Sequence, residues 1–304
     1  MKQVFSFSKW PSALILVGLM IFTSCKKDNN ISNTSDPNPA ATVDAAQSDA
    51  NGAAQFDDVF NITMGVQAAD AGEEIGLGTG AGVIYKPAGP DGTLSPDSTS
   101  RCFTVTVVPK TPHVFPKVIT IDFGTGCLGK DGKSRKGKIV SIYTGPMFIP
   151  GSTASTTFVD YNVDSFKIEG THEVENASTS NKKAWTVKVI NGKITNTQNG
   201  NWRKWNGIRE HKQIEGNGTP LYLLDDVFEI TGNASGSNSN GNSWTSLITE
   251  PLIRKFTCPW IVKGQVKITR NSNTNFAILD FGNGSCDNQA TITINGVTHI
   301  ISLH

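Results

Sequence analysis

The chain has 304 residues, a formal net charge of +1 and a charged fraction of 17%. This balance excludes an electrostatic case for a nucleic-acid partner, which requires a clustered excess of basic side chains. Asparagine, glycine, serine and threonine are abundant, and such a composition is typical of proteins with many turns and solvent-exposed strand faces.

Residues 1–24 have the organisation of a secretory signal. Lys2 and Lys9 precede an apolar run over residues 13–22, which is too short to span a bilayer. Two small residues follow and then Cys25, which is the arrangement of a bacterial lipoprotein signal. We therefore predict cleavage before Cys25 and lipidation, including palmitate, on this cysteine. The alternative is an ordinary cleaved signal with an incidental cysteine.

The next two segments are predicted to contain little regular structure. Residues 25–55 are polar with few large apolar side chains, so we predict a disordered tether. Residues 56–100 are predicted to hold a short helix, at Gln55–Ala69, and a Gly/Pro-rich linker. Residues 76–82 are rich in glycine, but the spacing does not match a phosphate-binding loop, and a flexible linker is the better interpretation. The apolar residues at helical spacing are Phe56, Val59, Phe60 and Thr63.

Residues 101–304 alternate between apolar and polar side chains and predict an all-β, mainly antiparallel domain. We expect a long-stranded sheet, either a sandwich or a curled half-barrel. No helical pattern separates the strands, which argues against a parallel α/β sheet. Asn191-Gly192 and Asn295-Gly296 are candidates for tight hairpin turns. The predicted strands are 103–108, 118–123, 138–144, 157–174, 184–195, 202–214, 221–232, 244–256, 260–269, 275–281, 290–294 and 297–303.

Part of this domain is repeated. The segment from Ile119 to Cys127 matches the segment from Ala277 to Cys286, and each contains Asp-Phe-Gly followed by a cysteine. Upstream, Arg101-Cys-Phe-Thr is echoed by Arg254-Lys-Phe-Thr-Cys. The sequence therefore predicts two related hairpin units, near residues 101–127 and 254–286.

Four cysteines remain once Cys25 is assigned to the lipid anchor. Export to an oxidising compartment permits disulfides, and an even number favours them over buried free thiols. Because each cysteine pair brackets one copy of the repeat, we predict that Cys102 bonds to Cys127 and Cys258 to Cys286.

Three segments together resemble a group of β-rich outer-membrane lipoproteins of the Bacteroidota. They are residues 121–139, the Asp-Phe-Gly-Asn-Gly-Ser-Cys run that ends at Cys286, and Ser-Cys-Lys-Lys-Asp around Cys25. The resemblance implies an outer-membrane location, on the periplasmic face or the cell surface. It implies no mechanism, since the group has no established activity.

Two features are candidates for ligand contact. Trp202 and Trp205 flank two basic residues, and a spacing of three places them on opposite faces of one strand. We expect one of them in the core and the other at the surface, where it could stack on a sugar. Residues 129–138 are rich in lysine and arginine; we expect a solvated loop, and contact with an anionic envelope glycan or lipid is the alternative.

No motif supports catalysis. Asp122-Phe-Gly and Asp280-Phe-Gly lack the other kinase elements and are interpreted as inward phenylalanines beside flexible glycines. The five histidines show no metal-ligand spacing. We therefore predict no catalytic, cofactor or metal residue. Three carboxylates remain for a rival interpretation as a hydrolase: Asp225, Asp226 and Glu229.

The sequence thus predicts a lipid-anchored envelope protein with a non-catalytic role in binding, structure or assembly. Its expected partners are the membrane, through the anchor, and an envelope glycan or protein. The alternatives are a hydrolase of envelope glycans and a carrier that holds a lipid or other apolar ligand inside a curled sheet. The carrier should contain an apolar cavity and the hydrolase a cleft with convergent acids.

Overall fold

The computed structural model describes residues 36, 38–66, 75–76, 102–129, 131–218, 225–258, 260–272 and 275–303. Within these residues the chain forms one α-helix and fourteen β-strands. The helix is α1 (Pro39–Met64). The strands are β1 (Thr104–Val108), β2 (Lys117–Asp122), β3 (Cys127–Leu128), β4 (Ser134–Tyr143), β5 (Thr153–Val163), β6 (Phe166–Asn176), β7 (Ala184–Asn196), β8 (Trp202–Glu215), β9 (Val227–Asn238), β10 (Ser243–Lys255), β11 (Ile261–Arg270), β12 (Phe276–Asn283), β13 (Gln289–Ile294) and β14 (Val297–Ser302).

All fourteen strands belong to one antiparallel sheet. Each strand pairs with the next along the chain, except that β2 pairs with β4, and the short β3 pairs only with the start of β4. The sheet curls without closing, so β1 and β14 form its two edges. The predicted all-β class is therefore confirmed, as a single curled sheet and not a sandwich.

Strand alternation separates an inner from an outer face. One row of paired residues runs across eleven strands on the inner face, and every member except Gly207 is buried. The adjacent row, shifted by one residue, lies on the outer face and is partly exposed. The inner row is Val107, Ile119, Ser141, Thr156, His172, Val189, Gly207, Ala234, Ser246, Ile268 and Ala277.

Helix α1 lies against the inner face and contacts strands from β6 to β13. Asn38 caps its start by accepting a hydrogen bond from the Ala41 amide, and Pro39 occupies the first turn, where a missing amide proton costs nothing. At the other end the Gly65 amide donates to the Ile62 carbonyl. The four apolar-face residues predicted from helical spacing are all buried, as expected: Phe56, Val59, Phe60 and Thr63.

The predicted boundaries of this helix were wrong at its start. Residues 39–55, assigned to a disordered tether, are helical, so α1 begins sixteen residues before the predicted Gln55. The buried side chains of this half are small, including Ala45, Ala46 and Ala50. They contribute little hydrophobicity, which made the segment resemble a tether, but alanine is the best helix former and lets α1 approach the sheet closely. Residues 25–35, 37, 67–74 and 77–100 of the predicted tether, helix and linker lie outside the described residues.

Two strand predictions also need correction. The long strand predicted over residues 157–174 is a hairpin, because Asp164 adopts a φ of 51° between β5 and β6. Asn191-Gly192 is not a hairpin turn but a bulge inside β7, where the pairing register shifts. Asn295-Gly296 does connect β13 to β14, with both residues at positive φ, as predicted for a tight turn.

Candidate functional site

A cleft of about 260 Å³ lies between α1 and the inner face of strands β8 and β10–β12. We call it the α1 cleft. Its sheet side is largely apolar, because successive inward positions on β11 and β12 carry aliphatic or aromatic residues. The apolar residues on this wall are Leu252, Trp260, Ile261, Val266, Leu279, Phe281 and Leu303.

The opposite wall is charged. Arg135 is only 1% exposed, and its Nη2 donates to both carboxylate oxygens of Asp58, at 2.8 and 3.0 Å, and to Asp131 at 2.6 Å. Lys133 Nζ lies 3.3 Å from Asp58 Oδ1. Burial alone would raise the pKa of Asp58, but the charges of Arg135 and Lys133 outweigh it and hold that pKa below its ordinary value. We call Asp58, Asp131, Lys133 and Arg135 the Arg135 network.

This network corrects the prediction of a solvated loop over residues 129–138. Residues from Ser134 onward form β4, and alternation turns Arg135 inward beneath α1. Lys138 points outward and pairs with Asp122 at 2.8 Å. Several basic residues of this segment therefore have intramolecular partners.

Two arginines line the cleft itself. Arg209 lies 3.5 Å from Asp57 on α1, and its guanidinium stacks 5.2 Å from the ring centroid of Trp205. Arg254 follows Leu252 by two positions on β10 and so shares its inward face. Burial lowers the pKa of Arg254, and the charges of Asp57 and Asp58 act in the opposite direction. Within the described part of the chain, the side chain of Arg254 has no hydrogen bond and no ion pair within 4 Å.

Asp49 fixes the end of the cleft nearest the start of α1. Its Oδ1 accepts three hydrogen bonds, from the indole nitrogens of Trp205 and Trp244 at 3.0 and 2.9 Å and from the Ser246 hydroxyl at 2.9 Å. A carboxylate buried this deeply needs such donors to offset its desolvation. Asp49 therefore holds α1 to β8 and β10.

The two candidate tryptophans lie in different environments. Trp205 is 2% exposed and stacks on Phe56 with 5.8 Å between ring centroids. It belongs to the core, which leaves Trp202 as the member of the pair open to a ligand. Trp202 is half-buried, and Lys204 Nζ lies 5.5 Å from its ring centroid.

The candidate carboxylates are divided between the two faces. Asp226 accepts a hydrogen bond from the inward Gln213 at 2.7 Å, whereas Glu229 lies 3.5 Å from the outward Lys212. Burial, and then the charge of Asp225, raise the pKa of Asp226 to about 7. Asp226 and Glu229 are thus not arranged as a pair around one substrate.

The cysteines pair as predicted from the repeat. Cys102–Cys127 and Cys258–Cys286 are disulfide-bonded, with Cα atoms 5.2 and 5.8 Å apart. Each bond joins the chain just before a hairpin to the chain after it. In each copy the Asp-Phe-Gly aspartate accepts the hydrogen bond of the glycine amide, at 2.9 Å in the Asp122 copy and 2.8 Å in the Asp280 copy.

A second concavity lies on the outer face, across β7–β11, with a volume of about 740 Å³. We call it the outer saddle. Three partly exposed aliphatic residues form its floor, and a lysine stands at either side in the same cross-strand row. Its principal residues are Lys188, Ile190, Ile208, Asn233, Leu247 and Lys267.

Two buried histidines lie near the cleft but do not line it. Burial lowers the pKa of His172 to about 3, and both His172 and His211 are therefore neutral. No group of three or more His, Cys, Asp or Glu side chains among the described residues is arranged to hold a metal ion.

No helix in the described ranges is long and apolar enough to cross a membrane. Cys25 and the signal, residues 1–24, lie outside the described residues. No protein-family model matches the chain, and neither the curated proteins nor the solved structures show a significant similarity to it.

Of the residues lining the cleft, the sequence prediction missed Asp49, Asp57, Arg209 and Arg254. The sequence signal that could have identified them is a charged residue two positions from a buried apolar residue in the same strand, as with Arg254 and Leu252. Using that signal requires knowing which face of the strand is buried.

Proposed function

We propose that the protein is a lipid-anchored envelope protein that binds a small, partly apolar ligand in the α1 cleft without transforming it. The observation that supports this proposal is the cleft itself, in which an apolar wall faces charged side chains. Concave sites of mostly apolar lining with a few polar groups are typical of small-molecule binding, and 260 Å³ is near the lower end of their size range.

The proposed anchor at Cys25 would hold this domain close to the bilayer. Asp36 follows Cys25 by only eleven positions, so a fully extended connection would reach about 40 Å at most. The start of α1 is tied to the β9–β10 hairpin, because Asp44 accepts hydrogen bonds from Asn238 and Asn242. We expect this hairpin end of the sheet to lie nearest the membrane.

The test of binding uses the full-length lipoprotein in lipid nanodiscs, with empty nanodiscs as the blank. Titration calorimetry with the neutral probe 4-phenyl-1-butanol should give saturable binding in about the millimolar range expected for so small a ligand. Ala54→Phe, which fills the cleft, should abolish it. Ala40→Phe, at an exposed position of the same helix, is the matched control.

Two outcomes oppose this proposal. The absence of saturable binding by the folded wild-type protein would remove the support for a ligand site. Turnover of an envelope glycan that disappears in Asp226→Asn would favour the hydrolase instead.

A second candidate role is contact with an envelope glycan through the outer saddle. The observation favouring it is the placement of Lys188 and Lys267 on either side of exposed Ile208 and Leu247. Lys188→Glu with Lys267→Glu should weaken retention on an anionic envelope polysaccharide. Unchanged retention would assign any glycan contact to another surface.

A further inference from the structure

We infer that the ligand of the α1 cleft carries one anionic group, such as a carboxylate, and that Arg254 binds it. This inference rests on the proposed function of the cleft. The ligand class is therefore small amphipathic anions. Their compact apolar body would lie on the sheet wall, and their charge would point toward β10.

The first argument compares Arg254 with the other cations at the cleft. Arg135 has two carboxylates within 3.0 Å, Lys133 has Asp58 at 3.3 Å, and Arg209 has Asp57 at 3.5 Å. Among the described residues only Arg254, of these four, lacks a partner at contact distance. The Arg254 side chain is partly exposed and lines the cleft, and it has no acceptor of its own among the described residues, so its donors can form charge-assisted hydrogen bonds with an anion placed there.

The second argument concerns the carboxylates that would repel an anion. Asp58 and Asp131 are neutralised by Arg135 and Lys133, and Asp57 by Arg209. Asp49 is satisfied by its three donors and is 1% exposed. The long-range attraction of Asp57 and Asp58 for Arg254 remains, but neither offers it a hydrogen bond.

The third argument is the position of Arg254 relative to the apolar wall. It shares the inward face of β10 with Leu252, and Leu252, Val266 and Leu279 line the same cleft. An apolar body resting on these side chains would bring an attached carboxylate to the guanidinium, which binds carboxylates bidentately. A cleft of 260 Å³ suits a body the size of one aromatic ring with a short chain, not a full-length phospholipid.

The experiment compares three probes that share one apolar body: 4-phenylbutyrate, 4-phenyl-1-butanol and 4-phenylbutylamine. Each is titrated into the full-length protein in nanodiscs at pH 7. The wild type should bind the carboxylate at least tenfold more tightly than the alcohol, and the amine least tightly, because a charge-assisted hydrogen bond discriminates by about this factor. Arg254→Met should remove the preference and leave the affinity for the alcohol unchanged.

Two variants complete the design. Lys263→Met, which removes an exposed lysine from the outer face of β11, should retain the carboxylate preference. Arg254→Lys should retain part of it, since the charge remains and the bidentate geometry is lost. If Arg254→Met does not fold, the probe ranking of the wild type tests the anionic preference, and Arg254→Lys, which keeps the charge, tests whether Arg254 carries it: an unchanged preference in Arg254→Lys would overturn the role of Arg254.

Equal affinity of the wild type for carboxylate and alcohol would overturn the role of Arg254 and leave the proposed function standing. A carboxylate preference that persists in folded Arg254→Met would overturn it as well. Binding of no probe at all would overturn both the inference and the function on which it rests.

Discussion

The Arg135 network and the neighbourhood of Arg254 face the same helix but treat an arginine in opposite ways. Arg135 is buried beneath α1 with two carboxylates and a nearby lysine, so its charge is compensated inside the fold. Arg254 lines a cleft without a partner at contact distance in the described chain. Arg135 is thus a structural charge, whereas Arg254 is available to bind another molecule in the proposed site.

The parts of α1 that serve the two regions differ in composition. Its second half contributes Phe56, Val59 and Phe60 to a core shared with β1–β9. Its first half contributes alanines to a second core, with aliphatic residues of β9–β14. Large side chains fill the space under the second half, whereas Ala50, Ala53 and Ala54 leave room for the cleft.

The largest expected effect comes from breaking the compensated region. Arg135→Met leaves the buried Asp58 with only the partly exposed Lys133, and we expect a loss of about 3–5 kcal/mol in the free energy of unfolding. Chemical denaturation of the purified protein measures this. In the background of Asp58→Leu the same change should cost much less, because no buried charge is then left unpaired. A loss below about 1 kcal/mol would show that Arg135 is not needed to compensate Asp58.

The two disulfides, one near each arginine, should give the next largest effects on stability. Cys127 pairs across β3–β4 with Arg135, while Cys258 lies shortly after the end of β10, the strand that carries Arg254. Closing loops of 25 and 28 residues should contribute about 3.5 kcal/mol each in the chain-entropy model. One double variant combines Cys102→Ser with Cys127→Ser, and the other combines Cys258→Ser with Cys286→Ser. We expect the two variants to lose similar amounts of stability in denaturant melts.

Only the second disulfide should affect the cleft, because Phe281 on its wall lies within the loop that Cys258 and Cys286 close. Probe binding measured on both double variants separates the regions. Equal loss of binding in the two would show that the cleft depends on overall stability and not on its own disulfide.

The sequence predicted local features better than it predicted the site. The cysteine pairing could be predicted because the repeat places each pair around one hairpin, and a hairpin brings its ends together. Asn191-Gly192 and Asn295-Gly296 could not be distinguished, since both asparagines adopt positive φ and only the surrounding pairing makes one a bulge and the other a turn. The α1 cleft was out of reach because Asp57 and Arg254 are far apart in sequence and meet only when the sheet curls.

A third prediction concerns pH and Asp226. This residue lies near the end of β10, away from Asp49, and its backbone carbonyl accepts a hydrogen bond from the Phe256 amide. Because the pKa of Asp226 is raised to about 7 by burial, folding favours its protonated form. The resulting stability is fully present below about pH 4 and is lost as pH rises to 7. Asp226→Asn keeps the hydrogen bond from Gln213 and should equal the wild type at pH 4 and exceed it by about 1–3 kcal/mol at pH 8.

The control for this prediction is Glu229→Gln on the outer face, where exposed ion pairs contribute little. Its unfolding free energy should stay within about 0.5 kcal/mol of the wild type at both pH values. Parallel pH profiles for Asp226→Asn and the wild type would show that folding does not raise the pKa of Asp226.

The smallest expected effect on stability is at Arg254 itself. Arg254→Met removes a partly exposed charge that has no side-chain hydrogen bond or close ion pair among the described residues, and replaces it with an apolar chain of similar length. The unfolding free energy should change by less than about 1 kcal/mol, because a partly exposed charge without a close partner contributes little to stability. Denaturant melts of Arg254→Met and Arg135→Met under identical conditions give the comparison directly. A loss at Arg254 as large as that at Arg135 would mean that Arg254 is also a structural charge, and the separation between the two regions would fail.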